Sequence, residues 1–60
     1  MQAIDVQDYA RRLLDAHGFK AIAEAAQKAS AYEAQGEDQQ AQMWRRIEAA
    51  LIEMRGPRES

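Results

Sequence analysis

The eleven residues AYEAQGEDQQA, Ala31 to Ala41, decide how this chain folds. Alanine, glutamate and glutamine favour helix on both sides of the break, and glycine does not. Gly36 takes the left-handed position that ends many helices, and Asp38 offers a carboxylate to the free amides that begin the next one. A connection this short forces the helices on either side to run antiparallel. The stretch therefore predicts a helical hairpin.

Downstream, residues 38–55 repeat apolar side chains with a helical period. Met43, Trp44, Ile47, Ala50, Leu51 and Met54 share one face, opposite Gln42, Arg45 and Glu53. Ala41 and Ile52 fall outside that face, on a flank with Glu48 and Arg55, and form a second, smaller apolar surface. Gly56 and Pro57 are expected to stop the helix and leave a tail over 56–60.

Upstream, residues 19–35 carry two adjacent stripes. Phe19, Ile22, Ala23, Ala26 and Ala29 make one, and Ala21, Ala25 and Tyr32 the other, while Lys20, Glu24 and Lys28 occupy the remaining side. So broad an apolar arc predicts a central helix touching neighbours on two sides. Before it, Asp5 is placed to cap a helix over about 5–17, with Val6, Tyr9, Ala10, Leu13 and Leu14 inward and Gly18 at its end. The expected fold is all-α: a short N-terminal helix plus a long antiparallel hairpin in a single domain, 1–60, assembling into a helical bundle.

Composition limits what such a domain can do. A chain of 60 residues buries only about 60% of its unfolded surface. Small folds usually add disulfides, a metal or a partner subunit. This chain has no cysteine and one histidine, so a second subunit is the support to expect. Much of the 47% hydrophobic content is alanine, which buries little area per position. The 8 basic and 10 acidic residues give a net charge of -2 and form no cationic stripe, which disfavours nucleic acid as a ligand. Met1 to Val6 is neither basic nor apolar enough for a signal peptide, and no apolar run has the length of a membrane span. A cytoplasmic protein is expected.

The candidate chemistry is sparse. Histidine is the side-chain type that ordinarily changes charge near neutral pH, and for His17 the conceivable acid–base partners are Tyr9, Asp15 or Glu24. A histidine in the last helical turn is explained more simply by the carbonyls and negative dipole there. Ser30 and Ser60 are the only serines, and Ser30 falls within a helical repeat. The carboxylates of Asp5 and Asp8, or of Glu33, Glu37 and Asp38, lack the ligand spacing of a calcium loop. Arg11-Arg12 and Arg45-Arg46 read as solvated faces, because the alanine-rich second helix offers no base-reading side chains. Trp44 and Tyr32 suit either the core or an interface anchor.

Two resemblances extend this reading. The hairpin Ala25 to Arg55 resembles one tetratricopeptide unit, with Ala29, Tyr32 and Ala41 where that repeat has small, aromatic and small residues. It departs where Trp44 falls one place early and Glu48 replaces an alanine. Over nearly the whole chain, the elements AHG, YEAQGE and WRRIEAALIEMRGP resemble small bacterial proteins of unknown function with an alanine-rich helix, a glycine-acidic turn and a WRRI helix. That resemblance implies a fold and no activity.

The expectation is a non-enzymatic protein that self-associates, with a dimer favoured, through the wide face of the second helix and the Ala41-Ile52 flank. Ala21, Ala25, Tyr32, Ala41, Trp44, Glu48, Ile52 and Arg55 are the interface candidates. No catalytic residue, cofactor or metal ligand is assigned. A small regulator or adaptor contacting a larger protein is the alternative, and a nucleic-acid-associated regulator the third reading.

Overall fold

The computed structural model describes residues 5–55, which form three helices: α1 (Val6–His17), α2 (Lys20–Ala34) and α3 (Asp38–Arg55). The expected stop at Gly56-Pro57 and the tail 56–60 lie outside the described residues. The chain is an all-α three-helix fold, and among the described residues no helix is long and apolar enough to cross a membrane.

Asp5 caps α1 as its sequence position predicts. Its Oδ1 accepts from the amide of Gln7 at 3.1 Å and, more weakly, from that of Asp8 at 3.5 Å. At the other end the Gly18 amide donates to the Leu14 carbonyl at 2.8 Å. Gly18 then adopts φ 64° and ψ −148°, a combination that side chains with a Cβ disfavour. Phe19 already has helical dihedrals, so the α1–α2 connection is two residues long.

The hairpin turn closes with a paired hydrogen-bond pattern. The Glu37 amide donates to the Tyr32 carbonyl at 2.9 Å and the Gly36 amide to that of Glu33 at 3.1 Å. With Gly36 at φ 78°, this is a Schellman ending, which satisfies carbonyls that the last turn of α2 leaves free. Asp38 is not the cap of α3 but its first helical residue, because the Glu37 carbonyl already accepts from Ala41 at 3.0 Å. Its carboxylate instead lies in the first turn, where the helix dipole favours negative charge.

The core is built of small residues. Ala10, Ala21, Ala25 and Ala29 are fully buried, beside Trp44, Ile47, Ala50 and Leu51, and among the described residues only Ile47 and Leu51 are large and fully buried. Val6, Tyr9, Leu13 and Leu14 pack against this cluster from α1, as their spacing predicts.

Two expectations need correction. The central helix is α3, which packs extensively against α2 and also against α1, whereas α1 and α2 share the least contact. The buried row of α2 is Ala21, Ala25 and Ala29, while Phe19 and Ala23, expected inward, are exposed. Both follow from size. Alanines let α2 lie close along α3, and the larger Trp44, Ile47 and Leu51 on α3 fill the space among all three helices.

Candidate functional site

Two surfaces merit attention, on opposite sides of the hairpin. The first is an open groove of about 540 Å³ beside α1, lined by Tyr9, Leu13, His17, Glu24, Gln27, Lys28 and Trp44. Trp44 meets the Tyr9 ring edge-on, with centroids 5.9 Å apart and planes at 67°. Lys28 Nζ lies 5.8 Å from the Trp44 ring centre, within reach of a cation–π contact. The indole is thus engaged from two helices and sits in the core at 9% exposure.

At the rim of this groove His17 Nδ1 stands 3.5 Å from Glu24 Oε1, tying the last turn of α1 to α2 when the imidazole is charged. Of the partners conceivable for His17 in the sequence, the fold supplies Glu24. Ser30 is exposed and lies outside the groove lining, so among the described residues no serine faces the histidine. Among the described residues no three His, Asp or Glu side chains are grouped to hold a metal ion.

The second surface is the face of the α2–α3 hairpin turned away from α1. One residue in a helix advances about 100°, so positions nine apart point in opposite directions. Phe19 is nine residues from Lys28, which lines the α1 groove, and Ile52 is nine from Met43, which lines a shallow hollow with Val6 of α1. Both therefore face away from α1. They are the two large apolar side chains exposed among the described residues, Phe19 at 69% and Ile52 at 47%.

Phe19 and Ile52 also stand level with one another. Each lies about 21–23 Å from the hairpin turn at a rise of about 1.5 Å per residue. Half-buried Ile22 and Ala26 continue the apolar edge of α2 toward the turn. The turn-proximal end of the same face is charged. Arg45 contacts both oxygens of Glu33 across the hairpin, Nε to Oε2 at 3.4 Å and Nη2 to Oε1 at 3.2 Å, and reaches Glu48 Oε1 through Nη1 at 3.2 Å. These hydrogen bonds, led by the one to Glu33, raise the Arg45 pKa and hold the guanidinium in its charged form.

The sequence-derived interface candidates divide accordingly. Ala21 and Ala25 are fully buried, Ala41 is 3% exposed, and Trp44 belongs to the core. As free contact residues these four are corrected, because the chain's own helices cover them. In particular the Ala41-Ile52 flank does not exist as a free apolar strip. The turn brings α2 close to the start of α3 and covers Ala41, and only Ile52 emerges. Tyr32 and Glu48 are half-buried, the latter held by Arg45, and Arg55 is exposed.

Phe19 is the surface residue that sequence reasoning missed. Its signal was the position directly after Gly18, outside the Ala21-Ala25-Ala29 row. The arginine pairs behave as solvated faces: Arg12 pairs with Asp8 at 3.4 Å while its side chain stays 78% exposed, and Arg45 is occupied by Glu33 and Glu48.

No family model, curated protein or solved structure matches this chain.

Proposed function

We propose that this protein is a non-enzymatic helical module whose task is association with a second copy of itself, through the α2–α3 face that carries Phe19 and Ile52. The observation that carries this reading is the pairing of these two exposed side chains at one level and on one face, away from α1. Scattered single apolar residues on a surface need no explanation. Two placed together beside half-buried Ile22 and Ala26, in a chain where the only large and fully buried side chains among the described residues are Ile47 and Leu51, make a face suited to a partner.

The size of the face sets the strength to expect. Two helices about 10 Å apart and 22 Å long offer on the order of 400 Å² per copy, about half of what each partner contributes to a standard interface. Such a contact belongs to the weak, concentration-dependent class. Sedimentation over a range of concentrations tests the reading, with a mass rising toward the dimer as the outcome expected. Replacing Ile52 by Glu places a charge in the middle of the apolar patch and is expected to weaken assembly about tenfold or more, with helicity retained. A mass that stays monomeric at high concentration, or an Ile52→Glu chain that assembles like the parent, would overturn it.

A further inference from the structure

The face that supports self-association also restricts how two copies can meet. We infer that the dimer is two-fold, with its axis parallel to the helices, so that α2 of each copy lies on α3 of the other. This rests on the self-association reading and adds a geometry to it.

The argument uses the layout of the face. Its far end is apolar, with Phe19 on α2 level with Ile52 on α3, and its charged pair lies on the turn side of that patch, with Glu33 beside the turn on α2 and Arg45 about 10 Å along α3. A two-fold axis along the helices keeps levels unchanged and exchanges α2 with α3. Phe19 of one copy then covers Ile52 of the other, and Glu33 of one copy comes over the helix that carries Arg45 of the other. Apolar meets apolar at the far end, and the Glu33–Arg45 pair of each copy lies on the turn side of that patch, away from the partner's Phe19.

A two-fold axis running across the helices cannot do this. Centred on the hairpin, it sets Phe19 over the partner's Glu33–Arg45 end, which buries an aromatic ring against charge. Centred on Phe19 and Ile52, it overlaps only the last turns and leaves most of the face uncovered. The lengthwise axis, like the crosswise one, makes every stacked helix pair antiparallel, because α2 and α3 are antiparallel within one chain. That arrangement opposes rather than aligns the helix dipoles.

Arg45 remains suited to a third carboxylate. Its side chain is 44% exposed although it already binds Glu33 and Glu48, and a guanidinium carries five N–H donors. The Glu33 side chain is 52% exposed.

Ala23 and Ala49 allow a test that leaves the apolar patch intact. Both are exposed, and each lies about 16–17 Å from the turn at about 1.5 Å per residue. Under the lengthwise axis, Ala23 of one copy is stacked over Ala49 of the other at the outer edge of the dimer. The described residues contain no cysteine and the sequence none at all, so single thiols report without background.

The full-length Ala23→Cys and Ala49→Cys chains are each prepared, checked for parental helicity and for a dimeric mass, then treated with a short thiol cross-linker spanning about 8–10 Å, the spacing of packed helices. Mixing the two variants is expected to give a 23-to-49 product several-fold more abundant than either like-with-like product. A dimeric mass with cross-linking mainly between identical positions, or with no preference, overturns the lengthwise axis and leaves self-association standing. A monomeric mass for both helical variants and for the parent overturns both.

Discussion

At the residue scale the two turn glycines do different work. Gly36 sits at the left-handed end of α2, a position that asparagine tolerates, and a Cβ there meets nothing within 4 Å. Gly18 also has open space around its missing Cβ, but its φ of 64° is combined with ψ −148°, a region closed to other residues by the backbone itself. The penalty at Gly18 is thus conformational and not steric crowding by neighbours. Gly18→Ala is expected to cost about 1–3 kcal/mol, and Gly36→Asn less than about 1 kcal/mol. Urea unfolding of both variants checks the order, and equal losses would contradict the distinction drawn between the two turns. The sequence showed both glycines as helix ends. It held no sign that one is the ordinary left-handed ending and the other a sharper break, since that difference lies in ψ and not in residue type.

At the element scale, helix number, type and order were legible because the apolar spacing, Asp5 and the Gly36-Glu37-Asp38 break all agreed. The choice of central helix was not. A helical wheel counts apolar positions equally, and α2 has more of them than it can use. What decides burial is side-chain volume: Trp44, Ile47 and Leu51 on α3 reach both neighbours, while Ala21, Ala25 and Ala29 act by being small. This account predicts that enlarging the alanine row is harmful even though it adds apolar atoms. Ala25→Leu should push α2 from α3 and cost about 1–3 kcal/mol, whereas the same change at exposed Ala34 should fall within about 0.5 kcal/mol. Thermal melts of the two variants measure the contrast. A stabilised Ala25→Leu chain would mean that the row is loosely packed and that the close approach of α2 to α3 is not what holds the hairpin. The same reasoning explains the partial reading of the interface. Ala41 and Ile52 share a flank by angle, but the chain's own packing buries the first and leaves the second exposed.

At the scale of the whole molecule, stability and association are coupled. A 60-residue chain in which Ile47 and Leu51 are the only large, fully buried side chains among the described residues sits near the lower limit of what one core supports. Any partner that binds only the folded form adds stability by mass action, and when the partner is a second copy the added stability grows with protein concentration. The melting temperature is therefore expected to rise by a few degrees when the concentration is raised about tenfold, since roughly 1 kcal/mol moves the midpoint of a domain this small by about 4–8 °C. Phe19→Gln separates this effect from intrinsic stability. Phe19 is 69% exposed and makes no side-chain capping bond, so within one chain its replacement removes little. The variant should melt at nearly the parental temperature in dilute solution and lose the rise on concentration. If Phe19→Gln instead lowered the midpoint equally at every concentration, Phe19 would be serving its own chain's fold. If the parent showed no dependence on concentration at all, the exposed face would contribute nothing to stability, and the small core would have to hold the molecule alone.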